Sequence, residues 1–383
     1  MSLRILLATH APADRRTAVY RSVSDRASHL RSVGCTVDLL TRDDLARPAW
    51  ARLDPLLLPI LLVVRDLSKY DVIVFHSYLG WAFHRLKRWI DPMRRITSIT
   101  WFHGLEPLYH RAMRDDGQRQ SRELSWLLHE ILMPRLLKRS CEASDAVFCF
   151  NSIEAGYLVS EGWAEPHRVH QVTNGVDAGC FLHRRHRDVA SRLLFVGEWH
   201  AVKGTRYLVD AFTSLAALGD VELACVGTGA PADDVLAAFP AAVRPSVSVF
   251  AEVDRHEFYK QLARADLFVF PSLSEGFSVA LLEAMASSMP VVATSVGAAV
   301  DLLDDGRNGV LVPSANASAL VAAVMRLVKD VPTRMVMGEA ARRTACGFTS
   351  EAAGVGFAIT VLDVVMRRGN VERPQAMTSS DAA

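Results

Sequence analysis

At 383 residues, with 50% hydrophobic and 22% charged content, the chain is too long for one ordinary core, and two folded domains are expected. A net charge of +1 argues against a general polyanion binder, so no nucleic-acid partner is expected. The longest apolar run, residues 56–64, contains Pro59 and is closed by Arg65, too short to span a bilayer.

The first residues, MSLRILLATHAP, pass from a short basic start into a strand-like run, which reads as no secretory signal. Six cysteines lie scattered without CxxC spacing, mostly in or beside apolar runs, as reduced thiols of a cytoplasmic protein would. Charge is uneven: residues 1–190 hold 27 Lys and Arg against 21 Asp and Glu, and the remainder 16 against 21. A basic first half suits an anionic lipid surface or a phosphate-bearing acceptor, and equally a well-solvated surface.

In chain order, residues 4–9 form a buried-strand pattern, 10–16 a loop, 17–33 a helix closed by Gly34, and 36–40 a second strand. This alternation announces an open parallel sheet. Further strands are expected at 71–75, 96–102, 145–150 and 168–172, the second of these ending at His103-Gly104 and the last leading into the loop 173–177. A polar, basic stretch follows, and the alternation then restarts with strands at 193–197, 222–226 and 247–250 and helices at 205–218 and 232–239. A strand at 310–313 and helices at 317–328 and 352–368 complete the pattern.

The fold class is therefore α/β, two tandem Rossmann-like doubly wound parallel-sheet domains facing an interdomain cleft. The expected divisions are 1–182, a linker at 183–191, a second domain at 192–350, a final helix at 351–368 and a disordered tail at 369–383. In such folds ligands sit beyond the carboxyl ends of the strands, where His103, Asn174 and Glu275 each follow a strand.

The stretch 266–297, DLFVFPSLSEGFSVALLEAMASSMPVVATSVG, concentrates the chemistry. A strand at 266–270 precedes a loop with Glu275, a helix at 278–287 with Glu283, and a strand opened by Pro290. Eight helical positions span about 12 Å and return to nearly the same face. That reach suits a nucleotide-activated sugar, with sugar hydroxyls at one acid, ribose hydroxyls at the other and the diphosphate at the helix N-terminus.

These motifs, EGF-x5-LEAMA-x4-PVVAT-x2-G at 275–297, VG-x5-KG at 196–204, NGVD at 174–177 and HG at 103–104, resemble family 4 of the retaining glycosyltransferases (glycosyl transferases group 1), which have the GT-B fold. The resemblance implies metal-independent transfer of a sugar, of hexosyltransferase type, from a nucleotide-diphosphate sugar as co-substrate to a glycan, lipid-linked or small-molecule acceptor. Polysaccharide or glycolipid biosynthesis would be the setting. No other cofactor is expected, and no Asp-x-Asp follows a strand to clamp a metal on the diphosphate. Carried over by position, Glu283 would hold the donor ribose. Glu275 and the N–H groups of Gly276, Phe277 and Ser278 would hold the transferred sugar, with Asn174 also on the donor side. His103 would sit by the anomeric centre, Lys203 would neutralise the diphosphate, and Leu302 and Leu303 would line the base pocket.

Two departures stand out. The family's usual arginine after the VG glycine is Glu198 here, and the first loop lacks a glycine pair but offers Arg15 and Arg16. One of those arginines is expected to supply the missing positive charge, with plain solvent exposure the alternative. Glu198 keeps a second reading open, a nucleotide-sugar-binding subunit without turnover, and the architecture keeps a third, an epimerase. GxGxxA at 227–232 is a weak dinucleotide signal in a tight turn, and the histidine spacings fit no zinc motif. Residues 78–95 mix Trp81, Phe83, Trp89 and Met93 with five basic side chains, reading either as a packed helix or as a peripheral contact with the inner face of the plasma membrane.

Overall fold

The computed structural model describes residues 2–14, 17–44, 54–93, 95–117, 132–182 and 192–368. The first sheet contains β1 (Arg4–Ala8), β2 (Thr36–Leu40), β3 (Val72–His76), β4 (Thr97–Trp101), β5 (Ala146–Cys149) and β6 (Val169–Gln171), all parallel, in the order β2-β1-β3-β4-β5-β6. The second holds β7 (Arg192–Val196), β8 (Glu222–Val226), β9 (Val247–Phe250), β10 (Leu267–Phe270), β11 (Val291–Thr294) and β12 (Val310–Val312), in the order β12-β11-β10-β7-β8-β9. Central strands β3, β4, β5, β10 and β11 are buried at every residue, because helices cover both faces. This is why β5, β10 and β11 and most of β3 are continuous apolar runs rather than alternating ones, whereas β4 buries Thr97, Ser98 and Thr100 among its apolar residues.

Three strands, β2, β8 and β9, and the helix Thr205–Leu218 fall where the sequence places them. The helix Trp81–Ile90 falls within 78–95, one of whose two readings is a packed helix, whereas Asp54–Val63, Glu106–Asp115 and Val331–Ala345 are not anticipated from the sequence. Asp54–Val63 is apolar nearly all round and has Pro59 inside it, so neither periodicity nor propensity marks it. The expected linker at 183–191, Arg15, Arg16 and the tail at 369–383 lie outside the described residues.

The two sheets share one apolar core. Phe357, on the final helix Ser350–Arg367, packs against Trp101 and Phe148 with ring centroids 4.9 and 5.6 Å apart. Phe150 meets Phe277 at 5.7 Å. The final helix lies on Ala18–Ser32 of the first domain so closely that a Cβ at Gly354 would stand 2.2 Å from the His29 ring. Beyond it Arg368 donates to the Ile96 carbonyl at 2.8 Å and to Asp145 at 2.9 Å. These contacts bring the strand ends of the two sheets face to face.

Candidate active site

The second-domain wall begins where β10 ends. Pro271 stops the strand, and the chain turns through Ser274, Glu275 and Gly276 into the helix Val279–Ala286, capped by Ser278, whose Oγ accepts from the Leu281 N–H at 3.2 Å. Lys203 arrives from the short turn Ala201–Lys203, and the next residue, Gly204, has φ +68°. A Cβ there would lie 1.9 Å from the Pro271 carbonyl, so only glycine lets this turn rest on the end of β10. The Leu273 N–H donates to the Val202 carbonyl at 2.7 Å and fixes the approach. Lys203 Nζ then reaches Glu275 Oε2 at 2.6 Å, with both side chains partly exposed to the cleft. Among the described residues no acceptor takes the N–H groups of Gly276, Phe277 or Ser278.

A second polar cluster sits one helix length away. Glu283 is buried, and its Oε1 accepts from Arg255 at 2.6 Å. The other arm of Arg255 donates to Asp177 and, at 3.1 Å, to the Tyr259 hydroxyl. Burial raises the Glu283 carboxyl above the usual carboxylate range, and the Arg255 guanidinium opposes the rise.

The first-domain wall has a different chemistry. His103 follows β4 and lies between Trp101 and His76, with ring centroids 4.2 and 4.4 Å away. His76 Nδ1 in turn meets His10 Nδ1 at 2.9 Å, one ring donating and the other accepting. Both His103 ring nitrogens, His76 Nε2 and Glu106 Oε2 are buried without a hydrogen-bond partner among the described residues. Burial lowers His103 to about 3 and His10 to about 4, and holds His76 well below the ordinary histidine value. The stack is therefore neutral near pH 7.

Below it, the Glu154 carboxylate accepts from the Phe150 N–H at 2.9 Å and the Leu105 N–H at 3.2 Å, tying the loop after β4 to the loop after β5. Burial raises this carboxyl to about 7.

The walls touch. A Cβ at Gly276 would stand 2.7 Å from the His103 carbonyl oxygen, and Asn151 Nδ2 donates to the Gly276 carbonyl at 2.9 Å. The Ser152 N–H donates to Asp301 at 2.8 Å, and the Tyr207 hydroxyl donates to Asp116. A cavity of about 250 Å³ remains beside Glu275, with Leu108 and Arg111 on one side and Leu273 and Gly297 on the other.

The matching family descriptions are "Glycosyltransferase Family 4" over residues 19–179 and "Glycosyl transferases group 1" over 190–330. The chain belongs to family 4 of the glycosyltransferases. A D-inositol 3-phosphate glycosyltransferase of Salinispora arenicola is 30% identical over 233 residues, covering 54% of this chain and 52% of the relative. The chain spans about half the length of the curated relatives it matches. Two solved structures agree in architecture. A sucrose-phosphate synthase from Thermosynechococcus elongatus has a TM-score of 0.74 at 18% identity, covering 95% of this chain and 100% of that one. Anabaena HepE in complex with UDP has 0.69 at 15%, covering 94% and 100%. The fold is GT-B, two Rossmann-like domains about a cleft.

Of the family positions identified from sequence, Lys203, Glu275, Gly276 and His103 converge where the walls meet, and Glu283 lies on the same helix unit. Asn174 does not join them: its side-chain oxygen accepts from Ser22 at 3.0 Å and from Arg26 at 3.4 Å, bracing the helix Ala18–Ser32. Leu302 and Leu303 are buried in the shared core. Arg15 and Arg16 lie outside the described residues. Arg21, on the helix Ala18–Ser32 of the first domain, also favours the ionised form of Glu283. Glu198 is exposed, and its carboxylate pairs with none of the described residues. Sequence reasoning missed Arg255, Glu154, His10 and His76 as site neighbours. His10 and His76 carried the same strand-end placement as His103, and Glu154 follows the helix cap Asn151 by three residues, with Asn151 accepting from the Glu154 N–H at 2.9 Å.

Proposed function

We propose that this chain transfers a glycosyl unit from a nucleotide-diphosphate sugar to a hydroxyl-bearing acceptor with retention of anomeric configuration. The observation that carries the reading is the 2.6 Å Lys203–Glu275 pair at a helix start whose first N–H groups have no acceptor among the described residues, set against His103 across the cleft. The diphosphate meets Lys203 and the helix N-terminus, where charge grows as the glycosidic bond breaks. Glu275 accepts from sugar hydroxyls, and Glu283 from the ribose.

The bond between the anomeric carbon and the phosphate oxygen breaks while the acceptor oxygen attacks from the same face. The acceptor proton passes to the departing phosphate. Glu275, already held by Lys203, serves this pathway better as an anchor than as a covalent nucleophile. Lys203 and three amides supply the positive charge that a cation would otherwise bring, so the reading includes activity that survives EDTA.

Incubation with UDP-, GDP- and ADP-sugars tests the reading. Nucleoside diphosphate release that depends on acceptor, with an axial or equatorial product matching the donor by NMR, is the expected result. Interconversion of the donor sugar alone would assign an epimerase, and binding without release a non-catalytic subunit. Similarity to a D-inositol 3-phosphate glycosyltransferase and to an α-(1→4)-mannosyltransferase supports polyol or sugar acceptors.

A second reading concerns location. On the helix Trp81–Ile90 and just beyond it, Trp89 is 74% and Met93 69% exposed, beside exposed Arg85 and Arg88. No helix of the described residues is long and apolar enough to cross a membrane. This combination supports peripheral binding to an anionic inner-leaflet surface carrying a lipid-linked acceptor. Pelleting with vesicles containing anionic lipid, lost in Trp89→Ala, is expected; absence of lipid-dependent pelleting would remove it.

A further inference from the structure

We propose that Arg255 is a positioning residue of the donor site, holding the Glu283 carboxylate ionised and aimed at the nucleotide's ribose while tying it to Asp177 of the first domain. The inference rests on the donor reading above.

Arg255 is the first residue of the helix Arg255–Arg264, whose cap, Asp254, accepts from the Glu257 N–H at 2.7 Å. That cap fixes where the guanidinium starts. From there Nη1 reaches Glu283 Oε1 at 2.6 Å and Nη2 reaches Asp177, a fork that a lysine would not reproduce. The guanidinium lies 4.8 Å from the Tyr259 ring centroid and 5.4 Å from that of Phe258, so its plane is packed as well as hydrogen-bonded. Tyr259 is itself pinned, since a Cβ at Gly179 would stand 2.6 Å from its hydroxyl.

Glu283 needs such a partner. It is 6% exposed, and a carboxyl there favours its neutral form, which is a poorer acceptor for two ribose hydroxyls. The other charged or titratable groups facing it are Arg21 from the helix Ala18–Ser32, Asp177 and Cys180. Arg21 is exposed and screened by solvent, Asp177 is repulsive, and Cys180 is a neutral thiol pushed up to about 12 by burial. The direct counter-charge is Arg255. Glu283 Oε2 accepts from none of the described residues and is left for a ligand hydroxyl. Because Asp177 follows β6 in the first sheet, the ribose-holding acid is coupled to the position of the first domain.

Calorimetric titration with UDP, GDP and ADP identifies the nucleotide that binds wild-type protein most tightly, and that nucleotide is the probe for Arg255→Gln, Arg255→Lys and Glu283→Gln. Arg255→Gln weakens binding about tenfold near pH 7.5 and further as pH falls toward 6, because the unpaired carboxyl takes up a proton. The wild type changes little over that range, and Arg255→Lys recovers part of the loss. Thermal melting near the wild-type value separates this from unfolding. If Arg255→Gln matches wild type at both pH values while Glu283→Gln loses affinity, the positioning role falls and the donor reading stands. If Glu283→Gln binds as wild type does, or no nucleotide binds wild-type protein, the donor reading falls and this inference with it.

Discussion

The two walls of the cleft solve different problems. The second-domain wall is charged and closely spaced, with Lys203 on Glu275, Arg255 on Glu283 and a glycine wherever backbone must approach backbone. Around His103 the first-domain wall is aromatic and neutral, with His10, His76 and His103 in successive ring contact and their charged forms suppressed by burial, while Arg111, Asp115 and Asp116 line the cavity beside Glu275. A dianionic leaving group calls for fixed charge, whereas an acceptor hydroxyl approaching an anomeric centre calls for neutral polar atoms that do not compete for the phosphate. Ion pairs on one side and ring nitrogens without a partner among the described residues on the other fit that division.

The largest break in the comparison comes from removing the charged wall. Lys203→Ala and Glu275→Ala each lower kcat/KM by about 10²–10³-fold in a donor-turnover assay, the scale of losing one transition-state contact. Next is contact between the walls. In Gly276→Ala the new methyl would meet the His103 carbonyl, so the cleft cannot close fully, and strain of about 1–3 kcal/mol is expected. The measured signature is a fall in kcat of roughly tenfold or more with secondary structure unchanged by circular dichroism.

The neutral wall is tested by pH. His10, His76 and His103 have folded values below their unfolded ones, so the unfolded chain binds more protons and stability falls as pH drops below about 6.5, by about 2 kcal/mol at pH 5 for each of His10 and His103. Glu154 has the opposite sign: raised to about 7, it contributes stability that is full below the ordinary carboxylate range and is lost as pH rises through 7. Denaturant unfolding of Glu154→Gln therefore gains relative to wild type between pH 5 and 8. Stability of wild-type protein that is flat from pH 6.5 to 5 would contradict the buried neutral stack. The smallest effect belongs to Glu198→Arg. The side chain is exposed, and kcat/KM within about threefold of wild type is expected, as for a surface position outside the ion pairs. A large gain would instead place residue 198 among the phosphate contacts.

The sequence by itself determined the alternation of strands and helices, and with it the two parallel sheets, because most strands buried on both faces are near-continuous apolar runs. It also determined the second-domain wall, since Glu275, Gly276, Ser278 and Glu283 lie within one strand-turn-helix unit whose geometry is local. Tertiary structure decided how the first-domain wall assembles. His103 was legible as a strand-end residue, but His10 after β1, His76 at the end of β3 and Glu154 on the helix Ser152–Ser160 come from segments far apart in the chain, brought beside it by strand order, and no local spacing encodes that. It likewise decided that Asn174 faces the helix Ala18–Ser32, and that Arg255 meets Glu283 and Asp177. A guanidinium at a helix start is ordinary in sequence and acquires a role only from what the fold places within reach of it.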